Sequence, residues 1–258
     1  MDTKAIVIVS VLVLIFLLEG IFPHFRGRTS RVRHGLSHIF IAIINGLLTR
    51  LLFAGLAIKA TTWTQAQSFG ILNTGLFSQA AGTTIAFVLF DIWMYFWHVA
   101  NHHVSLLWLF HRAHHADIAM DTTTALRFHL GELFFSSFAR LPVIMLIGLS
   151  FEQVVFFETI LNVSTLFHHS NIHIPEKWDS IIRLVITSPN MHRVHHSTER
   201  RETNSNYTSI LSIWDRIVRT FKRRADTSTI TIGLSDFRSQ KWQGAFGFYI
   251  SPFLNPQP

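Results

Sequence analysis

The chain has 258 residues, 49% of them hydrophobic and only 14% charged, with a formal net charge of +7. A charged fraction so far below the globular norm of about 25%, with the apolar residues gathered into long runs, points to a membrane protein. The absence of cysteine excludes disulfides, thiolate zinc sites, iron–sulfur clusters and a cysteine nucleophile.

Residues 5–22 (AIVIVSVLVLIFLLEGIF) form an apolar run preceded by Lys4. No small-residue cleavage site follows, so a retained helix is expected rather than a cleaved signal peptide. Glu19, near the end of the run, should cost little. Arg26, Arg28, Arg31 and Arg33 make a short basic loop, which the positive-inside rule places in the cytoplasm. Basic residues in short runs beside apolar segments suit an anionic membrane face and give no reason to expect nucleic acid. A second apolar segment, 35–59, is interrupted by Asn45 and Arg50. These are expected to face the bundle, or Arg50 to snorkel to an interface. Residues 61–74 read as a polar loop. A third segment, 75–97, ends in the aromatic belt WMYFW. Segments 133–149 and 152–167 read as a tight hairpin, spanning or dipping part-way, that returns the chain to the side it left. With the arginine loop inside, every histidine cluster then falls on the cytoplasmic face. Residues 178–187 read as an amphipathic surface helix, and 210–221 as a short helix followed by Lys222, Arg223 and Arg224. The expected fold is all-α: a multi-pass membrane bundle of about four spanning helices, or three plus a hairpin, under a helical cap. Three regions are expected: membrane helices and basic loop (1–80), a catalytic region (81–224) and a polar tail with a Pro-rich end (225–258).

The histidines carry the chemistry. His98 and His102 are four apart and share a helix face. In His111-x-x-His114-His115 the first ring aligns with both others, while the adjacent pair diverges by about 100° and can reach two different metals. His192-x-x-His195-His196 repeats this. A His-x-x-His-His match should arise by chance roughly 0.06 times in such a chain, so two copies favour a built site. Eight imidazoles exceed the four a tetrahedral zinc needs, which suggests two metals. His169 is the choice for a ninth ligand and His129 a possible further one. His168 and His173 are weaker candidates, and His24, His34 and His38 read as satisfied polar or surface residues. Asp91, Asp117, Glu132 and Asp215 are candidates to hold the outer ring N–H of a ligand. Asp91 lies two turns before His98.

HVANH, HRAHH and HRVHH, with DIWMYFWH, TTALRFH, FHHSNI, SPNMHRVHHS and SNYTSILSIWDRI around them, resemble the three histidine boxes of the fatty acid hydroxylase/sterol desaturase superfamily of membrane di-iron oxygenases. The resemblance covers about residues 85–221. It implies two Fe ions (with zinc a possible substitute in purified protein), held by His98, His102, His111, His114, His115, His192, His195 and His196, with His169. It implies O2 activation and hydroxylation or desaturation of a lipid C–H bond. His129 falls where the family often has His-Pro, and Leu130 replaces the proline. His103 stands where a basic residue is common and is not counted. Electrons are expected from a separate transfer protein docking on the basic cytoplasmic face, and the location is an integral membrane protein, in the inner membrane of a bacterium. Two other readings compete. A zinc-dependent hydrolase would need a glutamate base beside its ligands, and no box contains one. A non-enzymatic haem or metal binder would place its ligands within the spans.

Overall fold

The computed structural model describes residues 3–27 and 30–254. Arg28 of the basic loop and the Pro-rich end lie outside the described residues. Six helices make the body: α1 (Thr3–Ile21), α2 (Arg31–Ala66), α3 (Gln79–His103), α4 (Ser105–His115), α5 (Leu130–Ile147) and α6 (Phe151–His168). Six shorter ones follow: α7 (Glu176–Val185), α8 (Pro189–His195), α9 (Arg200–Thr203), α10 (Ile213–Ile217), α11 (Gln240–Gln243) and α12 (Ala245–Ile250). No strand occurs among the described residues, and α1, α2, α3 and α5 are long and apolar enough to cross a membrane. They bury little of that apolar surface. α1 buries only Ile15 and Glu19, and Leu47 and Leu51 of α2 stand 66% and 80% exposed. In water such surface would drive aggregation; in a bilayer it is solvated by lipid.

The long helices share two ends. At one end Gly70, in the α2–α3 connection, meets Gly148, the α5–α6 turn. Both have positive φ (102° and 83°), and a Cβ on Gly70 would lie 2.5 Å from the Gly148 Cα. Only glycine tolerates both the conformation and the approach. Asn73 and Gln65 each donate to the Gly148 carbonyl at 3.2 Å. The α5–α6 hairpin therefore runs as deep as the α2–α3 turn. The opposite end carries the histidines. The expected polar loop at 61–74 begins later, because α2 continues to Ala66. Thr61 and Thr64 are buried within it, their hydroxyls bonded back to carbonyls one turn earlier. Asn45 faces the bundle, donating to the Phe128 carbonyl (2.6 Å) and accepting from the Tyr249 hydroxyl (2.9 Å), while Arg50 is exposed.

The two arms of the hairpin are splayed. α5 packs on α2, α6 packs on α1, and both touch α3, but they make little contact with each other. Ala86, Phe90, Ile144, Val154 and Phe157 form the core below the splay. Glu19 is a buried hub rather than a boundary residue. It is 0% exposed and accepts from the Thr122 and Asn171 backbone N–H groups (2.7 and 2.6 Å) and from Arg31 (3.1 Å). α7 is strongly amphipathic. Trp178, Ile181, Leu184 and Val185 are exposed along one side, while Asp179 and Arg183 are buried on the other. The stretch expected as a polar tail instead closes the cap, with Ile230, Ile232, Phe237, Trp242 and Phe248 all buried. Trp242 and Gln243 offer their carbonyls to the guanidinium of Arg127 at 3.0 Å each.

Candidate metal centre

The last turn of α3, the last turn of α4, the end of α6 and the short α8 converge above the splayed hairpin. They bring nine imidazoles into two adjoining groups. His98, His102, His111, His115 and His195 form one; His114, His169, His192 and His196 form the other, with ring nitrogens inside each group within 4.8 Å of one another. The divergence of neighbouring side chains on a helix does the sorting. His115 turns to the first group and His114 to the second; His195 and His196 divide the same way. The groups abut where His115 stacks on His196, centroids 4.3 Å apart and rings 15° from parallel.

Ring orientation is set by oxygen acceptors on Nδ1. That of His98 faces the Tyr207 carbonyl (2.6 Å), His114 the Arg127 carbonyl (3.2 Å), His169 the Thr165 carbonyl (2.8 Å) and His195 the Ser205 carbonyl (2.7 Å). His111 faces Glu132 (2.8 Å) and His102 faces Asn204 (3.3 Å). A carbonyl can only accept, so Nδ1 carries the proton and Nε2 presents a lone pair. These lone pairs then face one another: His98 to His111 at 3.1 Å, His115 to His111 at 3.2 Å, His169 to His114 at 3.1 Å and His192 to His169 at 3.0 Å. Nε2 of His102, His195 and His196 is buried with no hydrogen-bond partner. Converging lone pairs repel unless a cation sits among them. Two nitrogens about 2.1 Å from one ion, at about a right angle, lie about 3.0 Å apart. The donor set therefore fits a metal ion in each group, of a kind that takes imidazole.

Electrostatics agree. Burial, with neighbouring imidazoles adding to it, holds His114, His115, His192 and His196 well below the usual imidazole range. It pushes His169 down to about 4 and His195 to about 3. These rings are neutral at pH 7, as ligands must be.

The other candidates are placed differently. His129 lies outside both groups. It caps α5, its Nδ1 accepting from the Gly131 N–H (3.0 Å) and its Nε2 donating to the Tyr249 carbonyl (3.2 Å). His168 stacks on His192, and His173 pairs with His24. Of the four acids, Glu132 alone reaches a box histidine. Asp91 instead accepts from Trp214 Nε1 (2.7 Å) and the Leu211 N–H (3.3 Å), anchoring the 211–214 segment. Asp215 accepts from the Tyr207 and Thr208 N–H groups (2.8 and 3.0 Å), so it fixes His98 through the Tyr207 carbonyl. Asp117 belongs to a separate cluster. His34 bridges it (3.0 Å) and Asp121 (3.1 Å), and His38 contacts Thr123 and Arg127. His34 and His38 are satisfied, as expected, but they are also four apart and share a face of α2, a pairing the sequence reading passed over.

Several positioning groups had no side-chain signature. Arg193, inside HRVHH, is 1% exposed and donates to the Ser170 and Ile172 carbonyls (2.8 and 2.7 Å), tying α8 to the segment after α6. Asn206, in the left-handed region (φ 53°), donates to the Met191 and Lys222 carbonyls (2.9 and 2.8 Å). Beneath both groups a cavity of about 260 Å³ descends between α5 and α6, lined at its head by His98, His111, His114, His169 and His192.

The comparisons with known proteins agree with this geometry. The family model described as Fatty acid hydroxylase matches residues 83–220, a stretch that contains both histidine groups. Alkylglycerol monooxygenase of Homo sapiens is 29% identical over 161 residues, covering 58% of this chain and 32% of the human protein. Its Danio rerio counterpart is 31% identical over 144 residues, covering 55% and 31%. Ornithine lipid hydroxylase OlsE of Rhizobium tropici is 28% identical over 153 residues, covering 58% and 45%. The chain thus aligns with less than half the length of each of these relatives. No solved structure matches. The family match takes in more than half of the 258 residues, and the chain belongs to the fatty acid hydroxylase family.

Proposed function

We propose that the chain is a membrane oxygenase that hydroxylates a lipid C–H bond. The observation that carries this reading is the convergence of nine neutral imidazoles on the head of a cavity that leads into an apolar bundle. His98, His102, His111, His115 and His195 would hold one iron; His114, His169, His192 and His196 would hold the other. Bound iron would supply the O2 activation that side chains lack. One oxygen atom goes to the lipid and the other to water, with two electrons and two protons from a separate carrier protein. The relatives support hydroxylation in particular, since those named are a lipid hydroxylase and alkylglycerol monooxygenases.

The chain's own residues do the rest. Carbonyls and Glu132 hold the rings in one tautomer. α5, α6 and α3 wall the cavity, keep water out and guide a chain from the bilayer toward the imidazoles. Arg26, Arg31 and Arg33 lie between α1 and α2 at the histidine end of the bundle. The positive-inside rule then puts the centre on the cytoplasmic face, of the inner membrane in a bacterium. The same end offers Arg216, Arg219, Lys222, Arg223 and Arg224 to an acidic electron carrier.

Metal analysis of protein purified under iron-replete conditions tests the reading. About two irons per chain are expected, with the metal content about halved in His195→Ala, and a lipid gaining one oxygen atom on incubation with O2 and a reductant. One zinc that survives His195→Ala would overturn it in favour of a hydrolase.

A further inference from the structure

The cavity below the metal centre is not uniformly apolar. On α5, Glu132, Ser136 and Arg140 recur every fourth residue and line it; on α6, Glu158, Asn162 and Thr165 face them. Spacings of three and four place each set on one helix face. The stripe begins at Glu132, beside His111, and ends at Arg140, roughly 12 Å deeper along α5. There Arg140 reaches across the splayed hairpin to Glu158 (3.4 Å), which also pairs with Lys4 of α1. Arg140 Nε is buried and has no hydrogen-bond partner. Three ionisable groups inside a bundle that otherwise faces lipid are costly, and such groups mark a ligand path. They are not needed to join α5 to α6, which the Gly70–Gly148 contact already closes. Their charges do not cancel: two cations surround one carboxylate, leaving a local excess of +1 at the foot of the cavity.

We propose that Arg140, with Lys4 behind it, binds an anionic group, a carboxylate or phosphate, carried on the hydrocarbon of the substrate. Glu158 holds the two cations in place and weakens the attraction enough for release. This deepens the proposed function and rests on it. The oxidised carbon lies at the head of the cavity, and the anionic group sits roughly 12 Å away, at Arg140. A fork of guanidinium donors recognises such oxygens in a way a neutral ester does not reproduce.

Equilibrium binding in nanodiscs of zwitterionic lipid tests this, with radiolabelled palmitate, hexadecyl phosphate, methyl palmitate and inorganic phosphate as probes. Palmitate and hexadecyl phosphate should bind at least tenfold more tightly than methyl palmitate, and inorganic phosphate should not compete. Arg140→Gln should abolish that preference, Arg140→Lys should retain part of it, and Glu158→Gln should strengthen palmitate binding. The two opposite directions keep the test valid if one variant folds poorly, and metal content of each variant checks the fold. Equal affinity for acid and ester, or an unchanged preference in Arg140→Gln, overturns the inference. Competition by inorganic phosphate at equal strength overturns its lipid-borne part. Because binding is read without turnover, a chain that shows the Arg140-dependent preference but oxygenates nothing would refute the function and leave this site standing. A chain that oxygenates lipids with no role for Arg140 would do the reverse.

Discussion

Two histidine-rich clusters lie at the same end of the molecule and behave in opposite ways. In the nine-histidine centre, Nδ1 protons are given to oxygen acceptors and Nε2 lone pairs point at one another. In the cluster of His34, His38, Asp117, Asp121 and Arg127, both nitrogens of His34 face carboxylates, and His38 faces a hydroxyl on one side and Arg127 on the other. Burial pushes Asp117 up, but His34, His38 and Arg127 outweigh it and hold the carboxyl well below the usual range. The first cluster is incomplete without a cation; the second supplies its own counter-charges. Histidine density does not distinguish them. The direction of the lone pairs does.

Acid should separate the two most sharply. The folded-state pKa values of His169 (about 4) and His195 (about 3) lie below the unfolded value near 6.5. Their contribution to stability is therefore fully present above about pH 6.5 and lost as pH falls toward 4 and 3. Between pH 6.5 and 5 these two rings alone should cost metal-free protein about 4 kcal/mol. Asp117 has the opposite sense of shift, a depressed carboxyl, and its contribution should survive that interval. Denaturation of metal-free protein in detergent across pH 5–7 measures this, and a flat profile would show the rings are not buried neutral. Next in size, Asp117→Asn leaves His34 and Arg127 short of a buried partner and should destabilise by about 3 kcal/mol. Metal content of the folded fraction should be unchanged, and a loss of metal there would erase the distinction between the clusters. Smallest is Glu132→Gln, which keeps an oxygen near His111 Nδ1 but removes its charge. Metal affinity in a chelator competition should fall by about 10-fold or somewhat more, at constant fold stability.

Much of the centre was legible because helix periodicity is a rule of the backbone. The spacing of HRAHH and HRVHH by itself implies that adjacent histidines diverge, and His114/His115 and His195/His196 do part between the groups. Long apolar runs read as spans for an equally local reason, and the Gly148 turn was visible as a break between two of them. What sequence hid is non-local. Asp91 has the right spacing to face His98, yet it is taken by Trp214, more than a hundred residues away. The acceptors for His98, His114, His169 and His195 are main-chain carbonyls, which every residue has. Residues 225–254 read as polar because their apolar members are scattered, and only the folded cap shows Trp242 and Phe248 meeting the rest of the protein.

Arg127 ties the order of synthesis to the order of assembly. Its carbonyl orients His114, and its guanidinium is held by the carbonyls of Trp242 and Gln243. The first two boxes leave the ribosome long before those residues exist. A nascent chain therefore carries exposed histidines without the strap that sets their geometry. The pair of metal positions becomes well formed only after residue 243 has been made and has folded back. Loading is in this sense a post-translational event, and a chain stopped short of Trp242 would be spared a half-built, redox-active centre.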